Sequence, residues 1–347
     1  LRLDAAAVVA AAVLLGLLEM RLLSLVPLQA PVEEAARKVT AILSGYPEWG
    51  RWQGRLLAPC LVRAAAALTG GGDGGGYVAL VQSLFVAKDA TAAILLLRLG
   101  VSPAAAFRSV LALSLATVCL VDTTAPYPWD LLDAIFLSAF LYGALRGASD
   151  RWFVLLFLVA LANRESALAI PAWMVLDGAA GSGSAAAAGG GSGGAGGRRR
   201  LVAGAALLAA GAAWTLLATA LFTVRETAPP LQPSFDPDHP VLTNLAFNLD
   251  FVRRRAFDLS PGLDAFKVFL PALLGALAAL SWRRLDPTAR RLVLVGCTFV
   301  AVVPFLGLMH EIRVYFPVLP FLVFLPHRLV SAPGPPSGEG GAPSGGD

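Results

Sequence analysis

Long apolar runs separated by brief polar interruptions dominate this chain. Residues 5–28, 77–99, 104–121, 128–145, 201–223, 265–280, 292–308 and 314–324 form such runs, and 152–176 is one more, broken at its middle by Asn163, Arg164 and Glu165. A run of roughly 20 apolar residues matches the thickness of a bilayer's hydrocarbon core. Three polar residues at mid-membrane in a straight helix would be expensive, so 152–176 reads as two short or tilted helices meeting near one membrane face. The pattern predicts an all-α, polytopic transmembrane helix bundle of about ten spans. The first run lacks a small-residue cleavage site and reads as a retained anchor. Within it, Glu19 and Arg21 are close enough to pair with each other or to snorkel. Lys88 and Asp89 fall near the middle of the second span, where facing a cavity and pairing with a neighbouring helix both remain open.

Two large polar loops interrupt the spans. The first, 29–76, contains APVEEAARKVTAILSGYPEWGRWQGRLLAPCLVRAAAALTGGGDGGG over 30–76 and holds the chain's densest cluster of acids, arginines and indoles. Pro31 followed by two glutamates looks like a helix start, with Glu33 and Glu34 favoured by the positive end of its dipole. Residues 56–68 are apolar but only about 13 long, too short to span, and suit an interfacial or re-entrant helix. GGGDGGG reads as a flexible hinge. The second loop, 224–263, carries FDPDHP and the basic triplet 253–255.

This divides the chain into an N-terminal transmembrane module (1–177), a Gly/Ser/Ala-rich cytoplasmic linker (178–200), a C-terminal transmembrane module (201–330) and a disordered tail (331–347). Composition agrees with the pattern. Of 347 residues, 57% are hydrophobic and 14% charged, more apolar surface than one soluble core could bury. The net charge of +4 does not indicate nucleic acid, because the basic residues sit beside apolar spans as topology signals. Cys60, Cys119 and Cys297 are odd in number and lack metal-type spacing, and are expected to be buried free thiols.

With the N-terminus inside, short inner connections hold Arg98, Arg108, Arg146, Arg151, Arg283, Arg284, Arg290 and Arg291, against only Arg164 and Arg313 outside. This orientation makes both termini cytoplasmic. It gathers both large loops, Asp130, the break at 163–165 and the segment of His310, Glu311 and Arg313 on the outer face. Asp130 and Asp133 share a face at the start of a span, where an aspartate is also an ordinary cap. No Walker loop, strand-preceded GxGxxG, GxSxG or HExxH is present.

The layout of spans and loops resembles the GT-C superfamily of polytopic glycosyltransferases. Within it, the chain looks most like bacterial integral-membrane proteins with a Y-x-x-x-x-x-x-Q-x-R-x-L-x-P stretch, here Tyr46, Gln53, Arg55, Leu57 and Pro59. It also carries a late E-x-R-x-x-x-P-x-x-P stretch, here Glu311, Arg313, Pro317 and Pro320. The resemblance implies a bacterial cytoplasmic-membrane enzyme that moves a sugar from a polyprenyl-phosphate donor to an acceptor on the outer face, among membrane lipid and without nucleic acid. GT-C enzymes usually carry an Asp-containing acidic pair in the first outer loop. Here Glu33 and Glu34 stand at that position, as the expected base for the acceptor hydroxyl. Arg51 and Arg55, four apart, would share a helix face and hold the donor phosphate, with Arg164 assisting. Trp49 and Trp52 flank the pair as interface anchors.

Glu165, Asp130, His310, Glu311 and Arg313 would line the substrate site. His310 and Glu311 diverge by about 100° on a helix and need not serve one metal. Some GT-C members use a divalent cation, which carboxylates on this face could hold. The rival expectations are a transporter or flippase of a lipid-linked or small polar substrate, and a non-catalytic relative acting as an assembly partner.

Overall fold

A computed structural model describes residues 4–25, 32–44, 55–120, 127–187, 191–222, 245–250, 253–254, 275–276, 279–306 and 312–328. The described chain is all-helical, 92% helix without strands. Its main helices are α1 (Ala5–Leu25), α2 (Val32–Thr40), α3 (Leu57–Thr69), α4 (Gly72–Arg98), α5 (Pro103–Leu120) and α6 (Pro128–Arg146). They continue with α7 (Asp150–Leu161), α8 (Ala169–Ala187), α9 (Gly191–Phe222), α10 (Pro287–Leu306) and α11 (Leu319–Phe324).

Among the described residues, four segments are long and apolar enough to cross a membrane: Ala5–Leu22, Gly72–Arg98, Pro128–Arg146 and Ala195–Ala218. Burial separates their roles. In the Pro128–Arg146 window 72% is buried, against 22% and 17% for the first and last, so α6 is the central pillar and α1 and α9 are peripheral. The outward faces carry Leu14, Leu18, Leu155, Leu158, Leu216 and Leu217, large apolar side chains that suit lipid and not water.

Pro128 starts α6 at a position where a missing N–H costs nothing. The helix then buries Trp129, Leu137, Phe140 and Leu141. Phe140 packs edge-on against Phe153 of α7 and Trp173 of α8, at centroid distances of 6.3 and 5.9 Å. The end of α6 that carries Arg146 is fastened by charge. Arg200 of α9 bridges Asp150 of α7 at 2.7 Å and Asp177 of α8 at 2.6 Å, and Arg291 of α10 reaches Asp177 at 2.8 Å.

Several expectations need correcting. The glycine run is no hinge: Gly72–Gly76 forms the start of α4, and a Cβ on Gly76 would stand 2.5 Å from the Ala66 nitrogen of α3. Absence of side chains there lets α3 and α4 pack backbone to backbone. The supposed linker is likewise helical over 178–187 and 191–200, and α8 pairs with α9 more extensively than any other described pair. Gly178 makes this possible, since a Cβ there would lie 2.4 Å from the Leu201 nitrogen. Cys60 and Cys119 are exposed on helix surfaces and Cys297 is partly buried, so none is a core thiol.

The start at Val32, the 13-residue α3 and the break between α7 and α8 are all found. Residues 45–54, 223–244, 255–274 and 329–347, including FDPDHP and the tail, lie outside the described residues.

Candidate functional site

At the end of α6 opposite the Arg200 bridges, three separated parts of the chain meet. Asp130 and Asp133 are three residues apart in the first turns of α6 and therefore share a face. Both are buried. Helix α7 stops at Leu161, and the N–H groups of Asn163 and Arg164 both donate to the Ala160 carbonyl at 2.9 Å. Arg164 is then extended (φ −166°, ψ 157°) before a 3-10 turn, Glu165–Leu168. This reversal turns Asn163, Arg164 and Ser166 towards α6.

The contacts are specific. Arg164 Nη1 lies 2.5 Å from Asp130 Oδ1 and 3.6 Å from Asp133 Oδ2. Ser166 Oγ donates to Asp133 Oδ2 at 2.5 Å. Asn163 Nδ2 donates to the Trp129 carbonyl at 2.9 Å and to Asp133 Oδ1 at 3.2 Å. One guanidinium thus serves two carboxylates, and the neutral donors stabilise the negative charge it leaves uncompensated.

Arg55 comes from the segment before α3, which the Leu57 N–H anchors to the Ala162 carbonyl at 2.9 Å. Its Nη2 is 3.5 Å from Glu165 Oε2, and its Cζ lies 5.4 Å from the centroid of the Trp129 ring. That indole stacks on Tyr127 at 4.6 Å and 7°. Burial lowers the Arg55 pKa from its ordinary value, and the Glu165 charge works against that shift. Arg55 Nε is buried and has no hydrogen-bond partner among the described residues. The Arg55 side chain is 12% exposed and that of Glu165 38%, so Glu165 stands at the mouth and Arg55 behind it.

The expected site residues fall into three groups. Asp130, Arg164, Glu165 and Arg55 are brought together here. Glu33 and Glu34 lie on α2, which buries Ala35, Ala36, Val39 and Thr40 against its neighbours. Glu33 is exposed, and Glu34 pairs with Lys38 at 2.8 Å, which lowers the Glu34 pKa through that hydrogen bond and the lysine charge. The buried edge of α2 is tied to α4 by Thr40 Oγ1, 3.0 Å from Asp73 Oδ2. Arg51, Trp49, Trp52, His310 and Glu311 lie outside the described residues, and Arg313 is placed by its backbone alone in a 3-10 segment, Ile312–Val318.

The sequence pattern does not single out Ser166, and Asp133 and Asn163 enter it only as neighbours of Asp130 and Arg164. The three-residue spacing of the aspartates and the Asn-Arg-Glu-Ser interruption of an apolar run were the available signals. Among the described residues, no group of three or more His, Cys, Asp or Glu side chains could hold a metal ion.

A second polar cluster lies within the bundle. Lys88 of α4 contacts Glu19 of α1 at 3.1 Å and Asp89 at 2.5 Å, so the intramembrane charges pair between helices. Glu19 takes Lys88 as its partner, where the sequence left open pairing with Arg21 or snorkelling. Comparison with protein-family models, curated proteins and solved structures gave no match for this chain.

Proposed function

We propose that this chain is a membrane glycosyltransferase that moves a sugar from a polyprenyl-phosphate donor to a hydroxyl acceptor at the Asp130 end of α6. The observation that supports it is the meeting of Arg55 and Glu165 at that end, behind which Arg164, Asp130 and Asp133 form a buried, hydrogen-bonded base. A carboxylate next to a guanidinium with a donor unfilled among the described residues supports both elements of the transfer.

In this reading Arg55 holds the donor phosphate. Glu165 accepts the acceptor's hydroxyl proton as its oxygen attacks the anomeric carbon. The bond from that carbon to the phosphate oxygen breaks, and the lipid phosphate leaves with the electron pair, its charge met by Arg55. Arg164 is a positioning residue, held by Asp130 and Asp133. Glu165 takes the role expected of Glu33 and Glu34 because it stands beside an arginine, whereas Glu34 is engaged by Lys38. The setting is the cytoplasmic membrane of a bacterium, with this site on the outer face and both termini inside, as the arginine distribution favours.

The test is transfer of labelled sugar from polyprenyl-phosphate donors in proteoliposomes, comparing the unmodified chain with Glu165→Gln, Arg55→Ala, Glu33→Gln and Glu34→Gln. Loss of transfer in the first two, with folding retained, is expected. Full activity in both, or no transfer by the unmodified chain from any donor, would overturn the assignment.

A second reading, a transporter, draws support from the buried Lys88, Glu19 and Asp89 cluster, since ionisable groups inside a membrane mark ion pathways. Solute accumulation by the same proteoliposomes, without transfer, would favour it.

A further inference from the structure

Helices α1, α4 and α5 enclose three ionisable side chains whose charges do not balance. Lys88 Nζ faces Glu19 Oε1 and Asp89 Oδ1, and Ser114 Oγ of α5 donates to Asp89 Oδ2 at 2.9 Å. The side chains of Lys88 and Asp89 are 0% exposed and that of Glu19 is 2% exposed. One ammonium therefore meets two carboxylates. Glu19 Oε2 is buried and has no hydrogen-bond partner among the described residues.

Among the described residues, the surroundings supply no second positive charge at the cluster. One turn before Glu19, a Cβ on Gly16 would stand 2.6 Å from Val86 Cα, so α1 and α4 touch backbone to backbone at that point. From α5 the facing groups are hydroxyls, Ser114 and Thr117, and Thr117 is committed to the Leu113 carbonyl at 2.8 Å. On α1, Arg21 is exposed and Glu19 is not. A net negative charge enclosed in the hydrocarbon depth of a bundle is costly, and uptake of a cation removes it.

We propose that Glu19, Asp89 and Lys88 form a buried binding site for one monovalent cation, a proton or a sodium ion, taken up by the two carboxylates at the open Glu19 oxygen. With the cation bound the cluster is neutral. Loading and unloading change the charge between α1 and α4 by one unit, so exchange requires their backbone contact to open. The site is separate from the Arg55 and Glu165 cluster and does not depend on the transferase reading.

The charge count predicts a distinctive variant pattern. Either single neutralisation, Glu19→Gln or Asp89→Asn, leaves one carboxylate balanced by Lys88 and abolishes cation uptake. Lys88→Gln leaves two carboxylates without a lysine and doubles it. The measurement is infrared difference spectroscopy of the full chain in proteoliposomes, reading the carbonyl band of a protonated carboxyl, alongside binding of labelled sodium to the same samples.

Sodium-free chain with a carboxyl band that disappears in both single neutralisations identifies a proton. Saturable sodium binding that falls at least tenfold in the same variants identifies sodium. Unmodified chain with neither signal, or with a signal that survives both Glu19→Gln and Asp89→Asn, overturns the proposal. Each neutralised variant keeps a balanced pair, so either one that retains the unmodified elution profile in detergent suffices for the comparison.

Discussion

Arg164 and Asp130, 34 residues apart in the chain, meet with Nη1 2.5 Å from Oδ1. Because Arg164 also reaches Asp133 at 3.6 Å, this one side chain fastens the break after α7 to the first turns of the central helix. Replacing it with methionine leaves two buried carboxylates without their cation. Arg164→Met should destabilise the bundle by about 3–5 kcal/mol, as breaking a buried ion pair does. Adding Asp130→Asn should recover part of the loss, because the two positions are coupled. Unfolding by heat or by sodium dodecyl sulfate in detergent micelles measures both.

The α8–α9 hairpin should depend on glycine at its closest approach. A side chain at position 178 has no space beside the Leu201 nitrogen, 2.4 Å from the added Cβ, so Gly178→Leu should cost about 1–3 kcal/mol as overpacking. A Cβ on Gly181 lies 3.6 Å from Gly197 Cα. In a chain whose native cysteines are serine, the pair Gly181→Cys and Gly197→Cys should therefore cross-link. With Gly178→Leu added, the yield should fall.

A pH-dependent contact is expected where residues 325–328 meet α5. His327 Nε2 is 2.8 Å from Ser109 Oγ, and burial, followed by the nearby Arg108 charge, lowers its pKa below the usual imidazole value. The unfolded chain then binds the proton more readily than the folded one. The contact's stability is fully present above roughly pH 6.5 and is lost as pH falls from there towards the depressed folded value. Thermal unfolding between pH 7.5 and 5 should show this fall, and His327→Gln should flatten it.

Arg55 should not tolerate lysine if it holds a phosphate. Lysine keeps the charge but loses both the planar fork and the stacking on Trp129. Arg55→Lys should lower kcat/KM for sugar transfer about tenfold or more, while Glu34→Gln, whose partner is Lys38, should leave it near that of the unmodified chain.

What the sequence by itself determined is the class and the punctuation of the fold. Apolar runs of spanning length identified the long helices, and Asn163, Arg164 and Glu165 marked a real break because no straight apolar helix accommodates them cheaply. Local signals sufficed for the α2 start at Val32 with its two glutamates and for Pro128 at the head of α6. Which charges meet was decided only by tertiary structure. Glu19 is two residues from Arg21 yet pairs with Lys88, 69 positions away, and Arg55 joins Glu165 and Trp129 because Leu57 is anchored at the end of α7. The glycine segments show the same limit. Their composition suits a solvated linker, but the missing Cβ atoms become favourable once a second helix lies against them, and periodicity along one chain carries no record of that neighbour.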